Sequence, residues 1–347
     1  MKVILDTSPL QNENAIRGIG VYTRCLRQEL LTIQDENFSL VESNRDADIL
    51  HYPFFDLFFP TLPFHINSSK KIVVTIHDVI PLLFPEHYPV GLRGNLNFFT
   101  QKIALSFTDA ILTDSIASKN DICRYLQIPF EKVHVVYLAG NPDVKPMDQS
   151  DQKIIREKFN LPKKFILYVG DINYNKNIPA LIEALQLIPP DISLVCVGKN
   201  FKAQNIPEWL SIQSKLNTVA DRVVMLSSLG KDSTNELSTI YSAAEAYVQP
   251  SLAEGFGLPV LEAMQAGTLV VNTKNTSLIE ISGDVTELVN EDPVSIASGI
   301  NNVLHLSQSQ RTERKRLAKT WVQQFTWRKT ATETLAVYKN VFNGSKL

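Results

Sequence analysis

The chain has 347 residues, 44% of them hydrophobic and 20% charged, which is the make-up of a soluble globular protein and is long enough for about two domains. A formal net charge of −2 gives no global field to attract nucleic acid or an anionic membrane, so nucleic acid is excluded as a partner and any anionic partner needs a local patch. The cysteines Cys25, Cys123 and Cys196 have neither metal-ligand nor redox spacing, the N-terminus MKVILDTSPL turns polar too early for a signal peptide, and no run approaches the ~20 apolar residues of a spanning helix, so a cytoplasmic protein is expected.

In chain order, short β-branched runs alternate with helical stretches. Strands are predicted at 2–6, 38–42, 48–52, 71–77, 109–114 and 132–137, and again at 165–170, 192–198, 222–226, 245–251 and 269–273. That alternation belongs to parallel sheets covered by helices on both faces, so the fold class is α/β with two doubly wound, Rossmann-like domains. The polar stretch AGNPDVKPMDQSD (139–151) carries two prolines and reads as the linker, which puts the boundary near residue 150: domains 1–150 and 151–325. From 293 onward the chain reads as helical. Two such sheets face to face would hold a ligand in the cleft between them, beyond the carboxyl ends of their strands.

Four stretches carry candidate chemistry. EGFGLPVLE (254–262) follows the strand at 245–251, with Pro259 suited to the first turn of a helix and Gly257 at its cap. Gly255 and Gly257 let backbone approach a ligand, and the helix start favours an anion such as phosphate. Glu254 in the loop and Glu262 in the helix can then accept hydrogen bonds from hydroxyls; the bland reading makes Glu262 a favourable acid near a helix start and Glu254 a solvated loop residue. RGIGVYTRCLRQEL (17–30) places Gly18 and Gly20 ahead of an amphipathic helix, open to phosphate, to acceptor or to a purely structural turn. YVGDINYNKNIPALIEAL (168–185) sets Lys176 just before a helix, either reaching into the cleft or solvated. VTIHDVIPLLFPEHY (74–88) puts His77 at the carboxyl end of an apolar strand, as a site residue or a core histidine.

Together these stretches resemble family 4 of the retaining glycosyltransferases, which have the two-domain GT-B architecture, and the likeness runs along nearly the whole chain. The longest part is YSAAEAYVQPSLAEGFGLPVLEAMQAGTLVV (241–271), in which Glu254 and Glu262 match the family's paired glutamates. The resemblance implies that Glu254 contacts hydroxyls of the donor sugar, that Glu262 contacts the ribose, and that the amides of Gly255, Phe256, Gly257 and Leu258 serve sugar and phosphate. Gly18 and Gly20 match the loop facing the diphosphate, Lys176 a lysine that binds it, and His77 a histidine beside the reacting sugar. His77, Glu254 and Lys176 are thereby the catalytic candidates. Residues 1–150 become the acceptor side, 151–325 the nucleotide-sugar side, and 326–347 a helix that can pack back on the N-terminal domain. Asp171 departs from the pattern, because many relatives carry arginine there and a carboxylate repels a diphosphate.

The implied reaction moves a hexose or deoxyhexose, with retention, from a nucleotide-diphosphate sugar to a hydroxyl of a saccharide or lipid-linked saccharide, in polysaccharide or glycan biosynthesis. It uses no metal and no cofactor, and the departing phosphate oxygen takes the acceptor's proton. Two alternatives stay open. A non-catalytic partner subunit would account for Asp171. An NAD(P)-dependent oxidoreductase would use the Gly-x-Gly and Glu42, although Thr23 stands where a third glycine belongs. The aromatic, proline-rich stretch 51–66 is either a greasy surface for a lipid-linked acceptor or a loop packed on its own domain. The basic run RTERKRLAK (311–319) is either a peripheral contact at the cytoplasmic face of a membrane or a solvated helix face.

Overall fold

The computed structural model describes residues 1–11, 18–65, 68–229 and 233–344. Arg17, Ile66 and the glycine and lysine at 230–231 lie outside the described residues, as do the ends of the stretches quoted above that include them. The chain divides into two units, one made of Met1–Ala139 with Phe325–Leu347 and the other of Gly140–Gln324.

The first unit holds a six-stranded sheet of β1 (Lys2–Leu5), β2 (Ser39–Leu40), β3 (Ile49–Tyr52), β4 (Lys71–Thr75), β5 (Ala110–Thr113) and β6 (Val133–Val135), in the order β2-β1-β3-β4-β5-β6. All pairs are parallel. Val3, Ile49, Val73, Val74, Ala110 and Ile111 are wholly buried, as strands covered on both faces require. One cover is the C-terminal helix Trp327–Asn343, which buries Trp327, Ala331, Thr334 and Tyr338 at the i, i+4, i+7, i+11 spacing of a single stripe. It packs against the helix Gly18–Thr32, and Thr330 donates to the carbonyl of Tyr137 at 2.7 Å.

The second unit repeats the plan with β7 (Phe165–Val169), β8 (Ser193–Val197), β9 (Val223–Leu226), β10 (Ala246–Gln249), β11 (Val270–Thr273) and β12 (Glu287–Val289), ordered β12-β11-β10-β7-β8-β9 and again parallel throughout. β12 has no counterpart among the sequence-based strands. It is three residues at a sheet edge with Leu288 exposed, so it has no apolar run to reveal it. The chain runs from β7 outward to β9 and then returns to the other side of β7 for β10, which makes the β7–β10 junction the switch point where such sheets bind ligands.

The stretch 140–151 packs within the second unit, which therefore opens at Gly140 and not near 150. The Met147 N–H donates to Ser242 Oγ at 3.0 Å, and Asp148 caps the helix Gln149–Lys158 through the N–H of Asp151. Gly140 lies against Gln265 so closely that a Cβ would fall 2.1 Å from its Oε1. The basic run 311–319 lies in the helix Gln308–Val322, where Arg311, Arg314 and Arg316 pair with Glu245, Glu287 and Glu313 at 3.2, 2.9 and 2.6 Å. Among the described residues no helix is long and apolar enough to cross a membrane.

Candidate functional site

The two units carry separate clusters. In the first, β4 and β5 end level with each other, Thr75 pairing with Leu112, and two residues further on His77 meets Asp114. His77 Nδ1 lies 2.7 Å from Asp114 Oδ2, and its Nε2 donates to the carbonyl of Pro53 at 3.2 Å. Burial works against the charge of His77, but the Asp114 carboxylate, its hydrogen bond and the nearby Asp78 outweigh it and raise the pKa above 6.5. With a carboxylate before one nitrogen and a carbonyl before the other, the imidazolium satisfies both partners. In that form neither nitrogen keeps a lone pair to act as a base.

His77 sits edge-on to Tyr22, ring centroids 4.9 Å apart. Behind Tyr22 runs a buried chain: Tyr22 to Thr75 at 2.9 Å, Thr75 to His51 at 2.8 Å, and His51 to Tyr338 of the C-terminal helix at 2.6 Å. Burial and then the charge of His77 push His51 down to about 3, so His51 is neutral and structural, while Asp114 favours the charged form of His77. Gly18 begins the helix Gly18–Thr32, and Gly20 is buried in its first turn. Ile19, between them, lines a cavity of about 230 Å³ with His77, Asp78 and the loop residues Phe54, Asp56 and Phe58. The glycine helix start and His77 are thus brought to one place.

In the second unit the loops after β7 and β10 bring together Lys176 and Glu254. Lys176 Nζ donates to both carboxylate oxygens at 2.8 Å, with the two side chains only 20% and 8% exposed. Oε1 of Glu254 also accepts from Gln249 Nε2 at 2.7 Å and from Ser251 Oγ at 2.6 Å. Tyr247 donates to Gln249 Oε1 from behind, and the Glu254 backbone is held by Thr276 and Ser277. Lys176 is therefore neither solvated nor an isolated cation, and Glu254 is not a solvated loop residue. Asp114, Gln249, Ser251 and Thr276 escaped the sequence reading. For Asp114 the signal was there, a polar residue ending the strand beside the one that ends in His77.

After Glu254, Gly255, Phe256 and Gly257 are all buried. Gly257 caps the helix Leu258–Gln265 with φ +102°, and a Cβ there would meet Leu278 at 2.8 Å and Ile281 at 2.9 Å, so only glycine fits. Among the described residues the N–H groups of Gly257 and Leu258 have no hydrogen-bond partner, and Pro259 has no N–H to offer. Glu262 faces another neighbourhood. Burial raises its pKa against hydrogen bonds from the Asn141 backbone and Tyr241, whose hydroxyl lies 3.3 Å away. The rings of Tyr241 and Tyr247 meet edge to face at 5.6 Å, so the two glutamates are joined by one buried chain of side chains. At Asp171 the backbone carbonyl accepts from Tyr168 at 2.8 Å, while among the described residues its carboxylate braces nothing.

Comparison with known proteins gives the family and the fold. Residues 150–321 match the family model for glycosyl transferases group 1, and residues 6–143 that for Glycosyltransferase Family 4. The O-antigen chain mannosyltransferase B of Escherichia coli is 28% identical over 327 residues, 90% of this chain and 81% of that protein. The serotype-specific mannosyltransferase WbdA of Escherichia coli is 30% identical over 223 residues, 62% of this chain but 27% of its own length, so this chain spans about a quarter of it. The structure of Anabaena Alr3699/HepE in complex with UDP and glucose superposes with a TM-score of 0.75 over 97% of this chain and 99% of that one, at 16% identity. That likeness shows the fold, two Rossmann-like units of the GT-B type. With matching models over both units and relatives along most of its length, this chain belongs to the family 4 glycosyltransferases.

Proposed function

We propose that this glycosyltransferase moves a hexose, with retention, from a nucleotide-diphosphate sugar to a hydroxyl of a saccharide or lipid-linked saccharide acceptor in polysaccharide biosynthesis. The observation that carries the reading is the buried Lys176–Glu254 pair at the mouth of the Gly255–Leu258 loop. There two N–H groups without partners and the helix start offer a phosphate site, and a fixed carboxylate stands ready for sugar hydroxyls. Charge that grows on the leaving diphosphate would be met by preorganised donors. The mannosyltransferase relatives make a mannose donor the first to try, and the UDP complex of Alr3699/HepE puts uridine among the bases to screen. The same relatives support an enzyme over a non-catalytic subunit. An oxidoreductase loses its footing at Thr23, which is buried and donates to the carbonyl of Ile19 at 2.9 Å where a dinucleotide turn needs glycine.

Incubating the protein with a panel of nucleotide sugars and acceptors, with mass detection, is expected to give a glycosylated product from one donor. The activity is expected to survive excess chelator, since the proposed phosphate site is made of backbone N–H groups at a helix start. Loss of product in chelator with recovery on adding manganese would refute the metal-independent reading. Glu262 is the proposed ribose contact. Glu262→Gln is expected to weaken binding of the bare nucleoside diphosphate by about 10- to 150-fold, the worth of a charge-assisted hydrogen bond, in isothermal titration. Parental affinity would remove Glu262 from the site.

A further inference from the structure

Glu254 is held by more groups than its ion pair with Lys176 needs. Of its two oxygens, Oε1 accepts from Lys176 at 2.8 Å, from Gln249 at 2.7 Å and from Ser251 at 2.6 Å, whereas Oε2 accepts from Lys176 alone, at 2.8 Å. A carboxylate oxygen has two lone pairs. Among the described residues Oε1 is therefore full, and one lone pair is left, on Oε2.

The amide of Gln249 has one usable orientation. Tyr247 donates to its Oε1, and Ser251 gives its single proton to the carboxylate. The amide therefore meets Ser251 Oγ and Glu254 Oε1 with its NH₂, both at 2.7 Å. Tyr247, Gln249 and Ser251 are all buried, and a satisfied buried network of this kind is rigid. The backbone of Glu254 is fixed as well. Thr276 Oγ1 accepts from its N–H at 2.9 Å and donates to its carbonyl at 3.2 Å, and Ser277 donates to the same carbonyl at 2.8 Å. Thr276 has φ +45° and ψ −131°, a conformation that a β-branched residue avoids and glycine adopts readily. Such strain persists where the surroundings over-determine it, and at Thr276 the side-chain hydrogen bonds go to Glu254.

We propose that Gln249, Ser251 and Thr276 are positioning residues for the transfer: they turn Glu254 so that Oε2 faces the donor, where its remaining lone pair accepts from a single hydroxyl of the sugar. The inference rests on the reading of Glu254 as the sugar contact and narrows it from hydroxyls in general to one.

The test uses the nucleotide sugar that gives product in the panel above, together with its monodeoxy analogues. Ser251→Ala and Thr276→Gly are each expected to lower kcat by about ten- to a hundredfold, the scale of a misplaced contact. Affinity for the bare nucleoside diphosphate, which has no sugar, is expected to stay at the parent's value in isothermal titration. Thr276→Gly relieves the backbone, so it is expected to melt at or above the parent's temperature while losing turnover, a combination that a merely structural role does not give. Thr276→Ser keeps the hydroxyl and is expected to keep the activity. Gln249→Leu alone would leave the Tyr247 hydroxyl without a partner, so Tyr247→Phe/Gln249→Leu removes both, with the same fall in kcat expected. In the parent one deoxy position is expected to cost about 10- to 150-fold in kcat/KM, the worth of a charge-assisted hydrogen bond. Most of that penalty is expected to vanish in Ser251→Ala, where the contact is already impaired. Parental kcat in Ser251→Ala and Thr276→Gly beside an impaired Glu254→Gln overturns the proposal, as does a deoxy penalty that persists in full in Ser251→Ala. Parental turnover in Glu254→Gln overturns the reading of Glu254 itself, and the proposal with it.

Discussion

Lys176→Ala is expected to do two things that a surface lysine would not. Removing the ammonium leaves Glu254, 8% exposed, without its counter-ion, and breaking one side of a buried pair costs about 3–5 kcal/mol because the remaining charge is uncompensated. For a unit of this size a loss of 3 kcal/mol lowers the melting temperature by about 6–12 °C. The second effect is on turnover, since the carboxylate proposed to hold the sugar hydroxyls loses the cation that orients it, and kcat/KM is expected to fall by about a hundredfold or more. The double variant Lys176→Met/Glu254→Gln separates the two effects. Replacing both charges by neutral groups of similar volume removes the unpaired carboxylate, so stability is expected to return most of the way. Activity is not. Calorimetric melts beside steady-state kinetics check this: a Lys176→Ala protein that melts with the parent would mean that the pair does not hold the loop, and a double variant that recovers turnover would remove both residues from the chemistry.

The second large effect concerns the charge on His77. Asp114 holds the proton on Nδ1 and raises the pKa above 6.5 against the pull of burial. A histidine whose folded pKa is raised contributes stability that is fully present below its unfolded pKa and is lost as pH rises through the folded value. Any help the imidazolium gives to growing negative charge is lost over the same window, above pH 6.5. His77→Ala is expected to cost about 10²–10³-fold in kcat, the scale of one preorganised electrostatic contact. Asp114→Asn removes the main opposition to burial and leaves only Asp78 and the Pro53 carbonyl, so the alkaline limb of the pH–rate profile is expected to move to lower pH. The imidazole resonances followed by NMR should titrate with it. Activity in the variant should then fall more at pH 8 than at pH 6. An unmoved alkaline limb in Asp114→Asn would show that the pair does not set the profile.

Much of the architecture was legible because strands buried on both faces must be continuous apolar runs. IVVT (72–75), AILT (110–113) and FILYV (165–169) could hardly be anything else, and their alternation with helices fixes parallel connections. The helix start at 257–259 was legible for the same local reason: glycine is needed where φ is +102°, and proline loses nothing where no N–H is required. β12 was not, because an exposed three-residue edge has no pattern to show. Nor was the opening of the second unit at Gly140, since a polar linker reads the same whether it packs or not.

What only the tertiary structure decided is partnership. Lys176 and Glu254 are 78 residues apart, and nothing local distinguishes a lysine in solvent from one that neutralises a buried carboxylate. They meet because β10 lies beside β7, so that the loops leaving both strands open at one switch point. His77 and Asp114 meet because β4 and β5 are neighbours in register. The sequence determined by itself which strand residues are buried and that the helix start at 257 demands glycine, since those follow from periodicity and sterics within a few residues. Strand order is set by long-range packing of the whole sheet. The electrostatics of the site, with one histidine favoured in its charged form and the other held neutral and one lysine spent on one glutamate, follow from that order.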